Sequence, residues 1–160
     1  MSTQSPFLVI GSVPIYQYYD GSYGWLGGFD VDSDGQSGST ATDPTWQGAT
    51  TLRHADGTYL DSRTERYGVI PGILAMKIPG VVVGCQGRIV DVIAGIVSPF
   101  VAGDIGPYDR VSEGSIALAT FMQVNPNPAT GGTQVPRFFW QIFPGQPATA
   151  NGQNYQLQPL

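Results

Sequence analysis

The chain reads as mainly β: a single-domain closed β-barrel with one short buried helix after Glu113. Three observations predict that class. Gly (22) and Pro (13) exceed a fifth of the 160 residues while only 12% are charged, a turn-rich balance in which helix is scarce. Apolar runs of strand length, rich in β-branched and aromatic residues, alternate with Gly, Pro and Asp clusters. Helical spacing is convincing at one place only, after Glu113. A chain of this length suits one domain with one sizeable core.

In chain order, the strand signals are Phe7–Ile10, Val13–Tyr18, Thr50–Leu52, Tyr67–Ile70, Val81–Cys85, Arg88–Ala94, Ile96–Ala102 and Arg137–Phe143. Residues 1–24 are expected to pack as N-terminal strands on a domain formed by 25–145. After Glu113, the residues Ile116, Leu118, Ala119, Phe121 and Met122 give about two and a half turns of apolar helix. Asn125-Pro126-Asn127-Pro128 ends it, because proline cannot donate to the helix and constrains the residue before it. The last stretch, 146–160, is polar and is expected to be a loosely held tail.

Composition also excludes classes of function. A net charge of −5 and a pI near 4.4 oppose nucleic acid as a partner and favour cationic or neutral ones. Cys85 is alone, so no intrachain disulfide or cysteine-rich metal site forms, and its Val-rich surroundings mark it as a buried apolar residue. His54 is the single histidine, which removes Ser/His/Asp and Cys/His mechanisms and multi-histidine metal sites. His54 and Lys77, the single lysine, read as surface residues. No run approaches the roughly 18 apolar residues of a membrane span, and Met1–Ile10 has no basic region and too short an apolar run for an export signal.

The chemistry is carried by Gly103-Asp104-Ile105-Gly106-Pro107 and by Ser112-Glu113-Gly114-Ser115. They set two carboxylates nine positions apart, one in a Gly-flanked turn after an apolar run and one at the expected helix mouth. Carboxyls in different surroundings can hold different pKa values, so that one gives a proton while the other takes one. Glycoside hydrolysis needs little more equipment than such a pair.

These segments resemble the signature of the glycoside hydrolase family 75 chitosanases, in which a Gly-Asp-x-Gly/Asn turn precedes a Gly-Glu-Ala/Gly-Ser helix start. Phe29-Asp30-Val31-Asp32-Ser33-Asp34-Gly35 resembles that family's Asp-rich segment, and Asp43-Pro44-Thr45-Trp46-Gln47 with Thr50 its Gln/Thr strand. Tyr67–Pro71 and Phe139–Gly145 complete an ordered set that spans Trp25 to Gly145. Two departures stand out: Ser112 replaces the usual glycine, and Ser33 sits where fungal members tend to carry a cysteine. As a good N-cap, Ser112 is expected to preserve the helix start.

The resemblance implies an endo-acting enzyme that cuts β-1,4-linked glucosamine polymers with inversion, secreted or virus-released, monomeric and without cofactor. By analogy with the catalytic turn of lytic transglycosylases, the barrel would be double-psi-like and Asp104 the acid, leaving Glu113 to activate water. The sequence adds slight support. A helix N-terminus would favour ionised Glu113, and desolvation after the run Ile96–Ala102 would raise Asp104.

Asp30, Asp32 and Asp34 match the first half of a calcium loop, but Ala41 stands at the twelfth position where a bidentate Glu is required. Two readings are left: a solvated Asp/Gly turn and, preferred, a cationic subsite in which each exposed carboxylate binds a glucosamine ammonium, with no metal. Gln47 and Thr50 are expected to bond sugar hydroxyls, and at most two of Tyr16, Tyr18, Tyr19, Tyr23, Trp25 and Trp46 to stack on sugar faces. Two rivals remain open at this point: a peptidoglycan lytic transglycosylase using Asp104 alone, and a non-catalytic polysaccharide-binding module.

Overall fold

In the computed structural model, residues 4–159 are described; residues 1–3 and 160, at the ends of the expected 1–24 and 146–160 segments, lie outside them. In chain order the elements are β1 (Leu8–Ile10), β2 (Val13–Gln17), β3 (Tyr23–Asp32), β4 (Tyr67–Ile70), α1 (Gly72–Lys77), β5 (Cys85–Asp91), β6 (Val97–Ile105), β7 (Glu113–Ser115), α2 (Ile116–Phe121), β8 (Thr133–Pro147), β9 (Thr149–Ala150) and β10 (Gln153–Asn154). The main sheet runs β1-β2-β3-β7-β4-β6-β5-β8, and β8 pairs back onto β3. Six strands therefore close into a barrel, as the sequence predicts, and the β1–β2 hairpin extends from β3. Closure leaves no free edge among those six. The pairs β3·β7 and β4·β6 are parallel, and the remaining barrel pairs are antiparallel.

The longest strands are β8 and β3, and β3 is absent from the strands read from sequence. Glycines at 24, 27 and 28 hide it. Neighbours come too close to each for a side chain: a Cβ at Gly28 would run into the Thr133 carbonyl oxygen on β8, one at Gly24 into the Phe139 ring, and one at Gly27 into the Ser112 hydroxyl. Between the glycines, β3 sends Trp25 and Phe29 inward, where Trp25 stacks on Trp140 at 6.4 Å and Phe29 meets Trp140 at 5.1 Å. Phe100 closes the same cluster from β6 at 5.8 Å. Aromatic burial on this scale carries much of the core's hydrophobic stabilisation.

Other boundaries shift for physical reasons. Thr50–Leu52 is loop rather than strand, and 81–84 is a turn that delivers Cys85 into β5. Helix α1 was not expected; it is a single short element with Leu74 buried. The predicted helix is present, but it begins at Ile116, with Ser115 as N-cap: Ser115 Oγ accepts from Leu118 N at 3.1 Å and donates to the Glu65 carbonyl at 2.7 Å. Ser112 is therefore not the cap. It occupies the left-handed region at φ 68°, the conformation that makes glycine the easier residue there, and its hydroxyl accepts from the buried Trp25 Nε1 at 3.0 Å.

The closing polar segment is held rather than loose. Ala148 and Tyr155 are buried, and Gln158 exchanges hydrogen bonds with the backbone of Arg53. Tyr155 OH donates to Glu65 Oε2, whose other oxygen lies 2.9 Å from His54 Nε2. His54 is thus part-buried in a clamp, not a plain surface residue. Cys85 is buried and Lys77 exposed, as expected. Among the described residues no helix is long and apolar enough to cross a membrane.

Candidate active site

Strand register places the two candidate catalytic carboxylates. Val69 on β4 pairs with Asp104 on β6 to one side and with Glu113 on β7 to the other, and Glu113 pairs onward with Asp30 on β3. Residues aligned across neighbouring strands share a face, so this row presents Asp30, Glu113, Val69 and Asp104 together at one end of the barrel. Two strand spacings separate the Asp104 and Glu113 backbones, about 10 Å. Glu113 leans back across β4: a Cβ built at Gly106, two residues beyond Asp104, would lie 3.4 Å from Glu113 Oε2 and 2.8 Å from Val69 Cγ1. Gly106 therefore keeps open the ground between the carboxyls.

The row forms the floor of an open cleft of about 730 Å³. Six of the twelve acidic residues line it, namely Asp30, Asp32, Asp34, Asp43, Asp104 and Glu113, against one cation, Arg110. The loop from 43 to 51 and the Pro128–Gly131 stretch complete its walls. The structure brings Asp30, Asp32, Asp34, Gln47, Thr50, Asp104 and Glu113 to this one place.

Asp104 is oriented by the loop it faces. Its Oδ1 accepts from Thr51 N at 3.0 Å, Thr51 Oγ1 at 2.7 Å and Ile105 N at 3.0 Å. Its Oδ2 has no protein donor among the described residues. Burial pushes the Asp104 pKa up, against the three donors, which favour the ionised form. Thr51 escaped the sequence reading, because nothing in a lone threonine next to Thr50 marks it as the carboxylate's holder.

Glu113 sits in β7, before the helix, so the helix-start reason for keeping it ionised is removed. Burial raises its pKa, with Asp30, Asp34 and Asp104 adding to the rise; the Arg110 guanidinium, Nη1 3.3 Å from Oε1, pulls it down. Arg110, unsuspected from sequence, is the group that favours a carboxylate at this position.

Asp32 and Asp34 are not the exposed, independent ammonium binders that the sequence suggested. Burial and the neighbouring carboxylates push Asp32 up to about 8, although its Oδ1 accepts from Asp34 N at 3.0 Å. Burial pushes Asp34 up to about 6, against the bond its Oδ1 accepts from Gln47 N at 2.7 Å. Near neutral pH, Asp32 thus holds a proton. Asp30 is half-buried and accepts from Gln134 Nε2 at 3.2 Å. Oxygens of Asp32, Asp34 and Asp104 all lie within 4.8 Å of one another, which makes these the side chains able to hold a cation. The broken calcium-loop pattern, with Ala41 in place of the bidentate Glu, leaves that set short of a full coordination sphere.

Two further expectations change. Thr50 lines the cleft but its hydroxyl is used internally, donating to the Leu52 carbonyl at 2.7 Å and accepting from Leu60 N at 3.0 Å. Gln47 is exposed on the wall and keeps its amide for a ligand. None of Tyr16, Tyr18, Tyr19, Tyr23, Trp25 and Trp46 lines the cleft. Trp25 is core, Tyr23 is buried, and Trp46 pins its own loop through Nε1 to the Gly35 carbonyl at 3.1 Å.

The arrangement can move protons between two separately tuned carboxyls and can attract a positively charged ligand. No protein-family model matches the chain, and no curated protein matches it.

Proposed function

We propose that the chain is an endo-acting glycoside hydrolase that cleaves β-1,4 linkages in chitosan with inversion, Asp104 serving as acid and Glu113 as base. The observation that supports this reading above the others is the register row: Asp104 and Glu113 flank Val69 across one strand and open into a single carboxylate-lined cleft. An inverting enzyme needs carboxyls roughly 6.5–9.5 Å apart, so that a water fits between base and sugar, and two strand spacings with one side chain leaning inward suit that gap.

The roles follow from surroundings. Asp104 Oδ2, the oxygen without a protein donor, carries the proton toward the glycosidic oxygen while three donors fix Oδ1. Glu113, held toward its ionised form by Arg110, takes a proton from water as the water oxygen bonds to the anomeric carbon and the glycosidic bond breaks. The leaving oxygen receives the Asp104 proton, and exchange with solvent resets both groups.

The cleft's chemistry selects the polymer. A neutral glycan is usually gripped through its sugar faces, yet among the described residues no aromatic ring lines these walls. With Asp32 and the acid Asp104 protonated, the four other carboxyls against one guanidinium suit a polymer that carries an ammonium on each ring, steering it in and holding it with modest energy per pair. Chitosan is too large to be imported, so the proposed site of action is outside the cell.

The test is reducing-end release from soluble, highly deacetylated chitosan, with the anomeric form of the fresh product read by NMR. Inverted product from the wild type, and none from folded Asp104→Asn or Glu113→Gln, is the expected result. An inactive wild type overturns the reading; a Glu113→Gln variant that still releases reducing ends overturns the two-carboxylate mechanism.

A further inference from the structure

Beside the acidic cleft lies a second hollow of about 550 Å³, walled by Ala41, Thr42, Arg63, Ile116 and the stretch from Asn125 to Ala129. Pro128 and Ala129 border both spaces, so a chain leaving the cleft over that wall enters the hollow directly. The two spaces have opposite chemistry. No carboxylate is among the described residues that line the hollow, and its charged group is Arg63. Arg63 is anchored by its backbone N to Asp61 Oδ1 at 3.0 Å and by Nε to the Ser37 carbonyl at 3.1 Å, while Asp61 Oδ2 is taken by Ser37 Oγ at 2.7 Å. The Nη atoms of Arg63 have no protein acceptor among the described residues and remain available as donors.

A glucosamine ring suits the cleft and is repelled beside Arg63. For an N-acetylated ring the preference reverses. Its acetamide carries no charge to pair with carboxylates, its carbonyl oxygen accepts from a guanidinium, and its methyl rests on an apolar wall such as Ile116, Pro128 and Ala129 provide. We propose that this hollow is an acetamide subsite, which holds an N-acetylated unit of the same polymer past the Pro128–Ala129 wall while glucosamine units occupy the cleft. The polymer as substrate rests on the function proposed above; the acetamide subsite rests on the hollow alone.

The experiment maps backbone amide NMR shifts of the full chain carrying Asp104→Asn, titrated separately with the N-acetylglucosamine tetramer and the glucosamine tetramer. The acetylated tetramer is expected to shift Arg63, Asn125, Asn127 and Ala129, and the glucosamine tetramer the cleft residues. Arg63→Ala in that background should weaken the acetylated tetramer about tenfold by removing a charged donor. Ala41→Trp, which fills the hollow from an exposed position without touching the Arg63 anchors, should weaken it as well. The proposal is overturned if the acetylated tetramer leaves the hollow's amides unmoved, if the glucosamine tetramer shifts them equally, or if both variants bind as before. Binding is read here without turnover, so a wild type that fails to cut chitosan would sink the proposed activity and leave this result standing.

Discussion

The same residue type behaves in opposite ways in two regions of this molecule. At turns and strand ends, Asp20, Asp56 and Asp91 have their own donors. In exposed turns, Asp20 is pulled down by the Ser22 hydroxyl and amide, and Asp56 by those of Thr58. At the end of β5, burial alone would raise Asp91, but the two-point grip of Arg137, at 3.1 and 2.7 Å, with the amides of Ala94 and Ile93 overrides it and leaves the pKa lowered. In the cleft, Asp32, Asp34, Asp104 and Glu113 are all raised, with burial the leading cause in each. A carboxylate that the fold supplies with enough donors is a building part. A group of them buried together against a single exposed guanidinium lowers stability, and that cost is the physical reason to look for function there.

The sharpest way to break this comparison is to make one chemical change in both regions. Asp104→Asn and Glu113→Gln should each lower chitosan hydrolysis by at least about 100-fold, the usual contribution of a positioned acid or base, with the melting temperature kept or raised. Asp91→Asn should leave the rate per folded molecule unchanged and lower the melting temperature by roughly 5 °C, because Arg137 loses its bidentate partner. Activity assays beside thermal melts read both. A reversed pattern, with Asp91→Asn inactive but stable, would show that the pKa contrast does not sort structure from function.

Next in size is the pH dependence of stability. The folded Asp32 pKa, about 8, lies above the ordinary value of 3.8, so the folded chain holds a proton that the unfolded chain releases. The stability associated with that proton is fully present below about pH 4 and is lost as pH rises through 8; Asp34, at about 6, adds to the fall over the lower part of that window. Asp32→Asn should therefore raise the melting temperature by about 5 °C at pH 8 and leave it unchanged at pH 4. Parallel curves for the two proteins from pH 4 to 8, measured by calorimetry, would remove Asp32 from the raised set.

The sequence exposed what depends on residue type and local order. The barrel's mainly β character, the buried Cys85 and the helix after Glu113 are legible because β-branched runs and turn residues act locally. Asp104 and Glu113 stand out through their Gly-flanked settings. What stayed hidden depends on pairing between distant segments. Strand β3 gives no strand signal until β8 lies against it and explains Gly24 and Gly28. The wedging of β7 between β3 and β4 makes a strand of residues that resemble a helix start. Thr51 reaches Asp104 across 53 positions, and Arg110 acquires a role only once its loop folds over Glu113. Long-range register, not composition, builds the site.

The smallest expected effect tests the one point at which the two regions look alike, since each contains an Arg–carboxylate pair. Arg137 grips Asp91 through two nitrogens with the carboxylate almost fully buried; Arg110 reaches Glu113 through one contact at 3.3 Å, with 61% of its own side chain in solvent. The first pair is structural. The second is worth little to stability, as exposed ion pairs generally are, and its effect belongs on Glu113, the proposed base. Arg110 is the influence lowering the Glu113 pKa against burial and three carboxylates, so Arg110→Ala raises that pKa and the base stays protonated to a higher pH. The acidic limb of kcat/KM on a short glucosamine oligomer should move upward by less than about one pH unit, with a loss of a few fold on that limb and little change above it. Arg110→Lys should restore most of the limb because the charge returns, and added salt should narrow the gap between wild type and Arg110→Ala by screening an exposed contact. An unmoved acidic limb in Arg110→Ala would mean that Glu113 owes its ionisation to something other than this guanidinium, and the base assignment would lose its main support.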